Sequence, residues 1–268
     1  MKEKKEMFNH MWVITAHGNS PFLEECICSI KKQRLSTPVA ISTATENEHI
    51  LSLGKKYSIP VYVKAGKDEL RENWNYAYNL ANTEWVTLAH QDDIYEDTYT
   101  EELYHYTQSE KNALIFFCEY EPFGGASLGA RRNRDIQCII KWPLRIKSFS
   151  SISLFKKLTV SLGNAICCPS VSYNKEMLGK DIFLYGDDDK IKNNVDWELF
   201  IILTKKIGKF LYSPKRLCRY RIHDGQTTDE YMRSSVREIE DRYCFGQMWP
   251  KIVVDILMHF YKRAYDIY

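Results

Sequence analysis

An α/β fold with a mostly parallel central sheet, helices on both faces and further helices closing the chain is what this 268-residue sequence predicts. Three observations carry the expectation. Short β-rich runs alternate with helical periodicity through the first 120 residues, the rhythm of βαβ units. A composition of 44% hydrophobic and 27% charged residues fits a globular chain with a sizeable core. Finally, polar and acidic residues gather directly after the fourth apolar run, and in such sheets ligands bind beyond the carboxyl ends of the strands.

The elements follow in order. "MWVIT" (Met11 to Thr15) reads as the first strand, and Ser20-Pro21 opens a helix whose Phe22, Cys26, Ile27 and Ile30 recur at helical spacing. "PVAIS" is a second strand, followed by a helix from Glu46 to Tyr57, and "PVYVK" is a third, followed by a helix from Glu69 to Ala81. "EWVTLA" is the fourth strand, a helical stretch covers Thr98 to Thr107, and "ALIFFC" is the fifth strand. After Cys118 the rhythm breaks. "EYEPFGGASLGARRNRD" reads as a long loop, with no phosphate-loop lysine after its glycines. "SFSSISLFKKL" reads as helix, "SVSY" as a short strand, "YGDDDKIKNN" as a polar turn and "VDWELFIILTKKIG" as an amphipathic helix. "RLCRYRI" is a further strand, and two helical stretches finish the chain. No internal repeat or low-complexity linker divides it.

Charge and cysteine usage narrow the function classes. With 37 basic and 35 acidic residues the formal net charge is +2, so no global field draws the protein to nucleic acid. The eight cysteines lack CxxC spacing and several sit in apolar runs, which favours buried thiols over disulfides or zinc. "MKEKKEMFNH" lacks the apolar stretch of a signal peptide, and no run of about 18 apolar residues exists to span a bilayer. The expectation is a cytoplasmic protein.

Three constellations could carry chemistry. Asp92 and Asp93 follow the fourth strand and could hold magnesium or manganese, since few protein ligands are needed when a substrate diphosphate supplies the rest. The same pair also reads as an acidic turn before the helix at Thr98. In "NNVDWELFIIL", Asn193 or Asn194 can cap the helix, leaving Asp196 in the first turn as a general base or merely as a helix-end charge. In "YRIHDGQTT", His223 follows a strand and can ligate a metal, bind phosphate or serve structure alone.

Taken together, "ITAHGN", "ENWNYAYNLANTEWVTLAHQDD", "VDWELFIIL" and "YRIHDGQTT", in that order, resemble the family 2 glycosyltransferases of the GT-A fold. The resemblance covers residues 10 to 228 and is most specific from Asn73 to Tyr95. It implies a catalytic domain over residues 8–228, with a nucleotide-binding half over 8–120 and an acceptor half over 121–228, and a helical extension over 229–268. It further implies a metal-dependent, inverting hexosyltransferase. Such an enzyme moves a sugar from a nucleotide-diphosphate donor to a glycan or lipid-linked acceptor in cell-surface polysaccharide or glycoconjugate synthesis. On that resemblance Asp196 is the catalytic base, Asp92 the metal ligand with Asp93 beside it, and His223 approaches the diphosphate and metal. Thr15, Ala16, His17, Asn75, His90 and Gln91 fall on nucleotide-contacting positions.

The sequence departs from the family pattern in places. His90 stands where many relatives carry the leading aspartate of Asp-x-Asp, Val195 replaces a glutamate before the base, "STAT" replaces an acidic segment after the second strand, and "AHGN" replaces a commoner "PxYN". Two other readings therefore stand beside the transferase: a catalytically impaired nucleotide-sugar binding relative, and a nucleotidyltransferase. The latter would need a basic glycine-rich loop after the first strand, which "TAHGNSPF" lacks. The C-terminal "KIVVDILMHFYKRAYDIY" reads as a helix packed on the domain, with peripheral membrane contact or homodimerisation as lesser readings.

Overall fold

Alternating side chains on the central strands build a separate core on each face of the sheet. The computed structural model describes residues 8–125, 128–223 and 235–262. Strands β1 (His10–Ala16), β2 (Val39–Thr43), β3 (Val61–Val63) and β4 (Trp85–His90) run parallel in the order β3-β2-β1-β4. Helices α1 (Leu23–Lys31), α2 (Glu48–Tyr57) and α3 (Leu70–Leu80) connect them. Trp12 and Ile14 of β1 join one apolar cluster with Leu23 and Ile27, whereas Val13 joins another with Tyr78 and Val86. This is the period of two expected of a sheet covered on both faces.

The chain continues through β5 (Ile94–Tyr95), α4 (Tyr99–Thr107), β6 (Ala113–Gly124), α5 (Leu128–Lys141), α6 (Ser153–Ser161), β7 (Val171–Asn174) and the short α7 (Lys175–Leu178). It ends with α8 (Val195–Lys205), β8 (Lys209–Ile222), α9 (Ser235–Gly246) and α10 (Lys251–Tyr261). Beyond β4 the sheet order is β7-β6-β8-β5; β7 runs antiparallel to β4 and β6, and β5 antiparallel to β8. The sheet is thus mostly parallel, as expected. Among the described residues no helix is long and apolar enough to cross a membrane. The expected boundary at residues 228 and 229 lies outside the described residues, as does "DGQTT" after His223.

Two expectations are corrected. The long loop after Cys118 is instead the second half of β6, to Gly124, followed by α5 from Leu128. Its helical signal is masked because charged residues occupy the buried face. Arg134 pairs with Glu121 at 3.0 Å and Lys141 with Glu119 at 2.8 Å, the last two almost fully buried. The second correction concerns α8, which is not amphipathic. Val195, Trp197, Leu199, Phe200, Ile201 and Leu203 are all buried, as befits a helix enclosed on most sides.

A buried ion pair joins the two halves of the chain. Arg71 of α3 donates to Glu198 of α8 at 2.7 Å, with the side chains 5% and 2% exposed. The same guanidinium donates to the carbonyls of Phe183 (2.7 Å) and Ile191 (3.1 Å), while Glu198 accepts from the Asp187 backbone N–H at 2.9 Å. Gly186 makes room for this cluster, because a Cβ there would lie 1.8 Å from a Glu198 carboxylate oxygen. Removing one partner of a buried pair strands the other charge, so Arg71→Met is expected to cost about 3–5 kcal/mol. Adding Glu198→Leu should recover part of that loss, though the Asp187 N–H would remain unpaired. Urea denaturation of the two single variants and the double variant measures the coupling; strictly additive losses would contradict it.

Candidate active site

The carboxyl ends of β1, β2 and β4 lie side by side, so the loops that follow them form one rim. Thr15 Oγ1 donates to the Ala89 carbonyl at 3.2 Å, tying β1 to β4 near that rim. Gln91 clamps the loop after β1. Its Oε1 accepts from the His17 backbone N–H, and its Nε2 donates to the His17 carbonyl, both at 3.0 Å. The His17 ring meets Asp68 at 2.9 Å, and Asn73 also donates to Asp68. Gly18 N–H donates to Thr45 at 2.7 Å, so the hydroxyl-bearing segment after β2 is built into the same wall.

The acidic pair after β4 divides its labour. Asp92 is 28% exposed, accepts from Ser20 Oγ at 2.8 Å, and holds its other oxygen 3.6 Å from His223 Nε2. Asp93 is 2% exposed and accepts from the Arg221 backbone N–H at 2.9 Å. Burial pushes the Asp93 carboxyl well above the usual carboxylate range. Its geometry is therefore that of an anchor for β8, not of an open ligand. Arg221 completes the junction: its Nε donates to the Asp92 carbonyl at 2.9 Å, it pairs with Glu25, and it stacks between the rings of Phe22 and Phe123.

His90 sits beneath this turn against Trp74, with ring centroids 5.3 Å apart. Burial lowers its pKa to about 4, which makes it a neutral imidazole at physiological pH. Its Nε2 is buried and has no hydrogen-bond partner among the described residues. Asn75 lies elsewhere. Its amide donates to Asp181 at 2.9 Å and its side chain is not on the cavity wall, which departs from the expected nucleotide contact. Asp181, in a left-handed conformation after α7, also takes Asn79, so two of the three amides of α3 are spent on one loop carboxylate.

Asp196 opens α8 on the other side of the cavity. Neither Asn193 nor Asn194 caps this helix with its side chain, contrary to the sequence reading. Glu240 of α9 supplies the carboxylate instead, accepting from the backbone N–H groups of Lys192 (3.0 Å), Asn193 (3.0 Å) and Asn194 (2.8 Å). Negative charge at a helix start is stabilised by the exposed N–H groups and the helix dipole. Asn194 Nδ2 in turn donates to Asp241 at 2.7 Å. The half-buried Asp196 accepts from Asn164 Nδ2 at 2.8 Å. Burial raises its pKa to about 6, offset in part by hydrogen bonds from its own and the Trp197 backbone N–H and from Asn164.

One cavity of about 870 Å³ contains both carboxylates, Asp92 and Asp196. Thr15, Ala16, His17, His90, Gln91 and Asp93 also line it. The C-terminal helices are part of its wall, contributing Arg237, Asp241 and Phe245 from α9 and Leu257, Phe260 and Tyr261 from α10. Gly163 shows how closely they fit: at φ +115°, a Cβ there would lie 2.7 Å from the Tyr261 ring. Sequence reasoning missed Asn164 and Glu240 as partners of the helix start. The only local signal for Glu240 was its place in the charged run "REIEDRY".

The donor chemistry around Asp92 suits a divalent cation. Among the described residues no group of three or more His, Cys, Asp or Glu side chains converges on one point. Asp92 and His223 nevertheless offer one carboxylate and one imidazole at adjoining positions, and a diphosphate with water can complete such a set.

No sequence-family model matches the chain, and no curated protein matches it. Solved structures do. S. aureus TarS 1-349 is 11% identical with a TM-score of 0.62, over 94% of this chain and 69% of that one, and the same fragment is known in complex with UDP-GlcNAc. The chain spans 42% of the longer S. aureus TarS structure. Mannosyltransferase PcManGT from Pyrobaculum calidifontis, in complex with GDP-Man and Mn2+, is 10% identical with a TM-score of 0.63, over 96% of this chain and 69% of that one. Glucosyl-3-phosphoglycerate synthase from Mycobacterium tuberculosis, in complex with Mn2+, UDP and phosphoglyceric acid, is 10% identical with a TM-score of 0.57, over 91% and 80%. The parallel β3-β2-β1-β4 half, the acidic turn after β4 and these three likenesses together give the chain the GT-A fold of nucleotide-sugar glycosyltransferases.

Proposed function

We propose that the chain is an inverting family 2 glycosyltransferase that moves a sugar from a nucleotide-diphosphate donor to an acceptor hydroxyl, in the assembly of a cell-surface polysaccharide or glycoconjugate. The observation that carries this reading is that Asp92 and Asp196, from opposite halves of the chain, line one cavity of about 870 Å³. That volume suits a small-molecule site. The complexes of the structural neighbours with UDP-GlcNAc, GDP-Man and UDP support a nucleotide-sugar donor for this chain.

In this reading the rim of β1 and β2 takes the nucleotide, with Thr15, Ala16 and His17 at its edge. Gln91 acts through the His17 backbone, which it already holds. Neutral His90 offers an imidazole nitrogen where a carboxylate would repel the diphosphate, and Asp93 anchors β8. Asp92 and His223 would hold manganese or magnesium, which when bound neutralises charge developing on the leaving diphosphate. Asp196 accepts the proton of the acceptor hydroxyl as its oxygen attacks the anomeric carbon opposite the departing diphosphate, which inverts the centre. Asn164 and the backbone N–H groups of Asp196 and Trp197 hold the Asp196 carboxylate in place for that proton transfer. We place the reaction in the cytoplasm. The exposed Ile252 and Ile256 of α10 form the surface for peripheral membrane contact or pairing of two copies.

Incubation with a panel of nucleotide sugars, with and without manganese, tests the reading. Sugar release that depends on manganese is the expected result. Pyrophosphate release from a nucleoside triphosphate and a sugar phosphate, assayed in parallel, would instead mark a nucleotidyltransferase, and donor binding without turnover a binding protein. Asp196→Asn should keep donor affinity and lose about 10² to 10⁴ in transfer rate, whereas Asp92→Ala should lose manganese-dependent donor binding, as calorimetry would show.

A pH dependence follows from the raised pKa of Asp196. Below its folded value of about 6 the carboxyl is protonated and cannot act as a base, so kcat/KM should fall about tenfold per pH unit there, a limb absent from Asp196→Asn. Stability has the opposite sign. A carboxyl raised on folding contributes stability that is full below the unfolded value of about 4 and is lost as pH rises through the folded value. Asp196→Asn should therefore flatten the stability profile between those values, measured as thermal midpoint against pH.

A further inference from the structure

The cavity has a polar donor side and a second side on which aliphatic side chains stand among polar ones such as Gln137, Asn164 and Asp241. His17, Asp68, Asn73 and Asp92 line the first. Opposite them, Ile136 and Ile140 stand one turn apart on α5, Leu162 and Ile166 flank the Asn164 turn, and Leu257 and Phe260 come from α10. Three of these are substantially exposed, Ile136 at 49%, Leu162 at 47% and Phe260 at 61%. Large aliphatic groups left open beside a catalytic cavity form a surface that favours an apolar occupant.

The polar groups on this side are already engaged with one another. Asn164 donates to Asp196 and accepts from Ile166 N–H, Gln137 takes the Tyr120 hydroxyl and donates to the Asn164 carbonyl, and Asp241 takes both Asn194 and Arg237. A bare sugar acceptor would bury several hydroxyls here against aliphatic carbon, each at a cost unless hydrogen-bonded. A hydrocarbon would bury none. Resting on the transferase reading above, we propose that the acceptor is an amphiphile whose reacting hydroxyl lies at Asp196 and whose hydrocarbon chain lies against Ile136, Ile140, Leu162, Leu257 and Phe260. The acceptor oxygen forms its bond to the anomeric carbon as the bond from that carbon to the diphosphate oxygen breaks. The hydroxyl proton passes to Asp196, and the electron pair leaves with the diphosphate.

The test uses the full chain and a 12-carbon alcohol bearing a diazirine, with crosslinks mapped by peptide mass spectrometry. Crosslinks should concentrate on residues 133–140, 162–166 and 257–261, and Ile136→Asp/Leu162→Asp should reduce them at least tenfold. Both side chains are about half exposed, so the variant should keep its fold, which circular dichroism checks. Crosslinks scattered over the surface, or unchanged in the double variant, would overturn the proposal. Sugar release from nucleotide sugars, assayed in parallel, separates the two readings. Release without localised crosslinks defeats the amphiphilic acceptor alone, whereas localised crosslinks without release defeat the transferase, and with it the acceptor role of the hydrocarbon-binding wall.

Discussion

The pairing of Arg71 with Glu198 is the constraint from which the rest of the site follows. Glu198 lies on α8 two residues beyond Asp196, and Arg71 lies on α3, which packs on β1, β2 and β4. The pair therefore fixes the start of α8 relative to β1 and β4. A buried guanidinium with two carboxylate partners, Glu198 and Asp188, and two carbonyl partners has little freedom to slide, and the packed helix must follow it. Glu240 holds the same helix start from the C-terminal side through three backbone N–H groups. Asp196 is thus positioned from both directions, although nothing touches its carboxylate from either pair.

Polarity then divides the work of the cavity. The rim of parallel strands presents backbone, hydroxyls and Asp92, a surface suited to phosphate and metal. The far wall presents aliphatic carbon from α5 and α10, and Asp196 lies between the two environments. Its raised pKa, about 6, is a consequence of burial, which removes water that would otherwise stabilise the carboxylate. A base near neutrality is the form in which a carboxylate most usefully accepts a proton. The C-terminal helices belong to this wall.

The sequence made legible what depends on local pattern. The strand-helix rhythm to Cys118 and the positions of Asp92 after a strand and Asp196 in a first helical turn are readable from neighbours along the chain. What it hid depends on partners far away. Asn75 is turned to Asp181, 106 residues on, and Asn194 meets Glu240, 46 residues on, so neither fate is written in its own segment. Helix α5 was hidden for a different reason: Arg134 and Lys141 fill its inner face, and only their carboxylate partners on β6 make that burial tolerable.

The central claim is that one donor molecule reaches from Asp92 to Asp196. A crystal structure of the protein with manganese and its preferred nucleotide sugar tests it most directly. The account predicts manganese coordinated by Asp92, His223 and the diphosphate, with the anomeric carbon lying between that ion and the Asp196 carboxylate. A nucleotide sugar bound outside the cavity, or bound with its sugar turned away from Asp196, would contradict it.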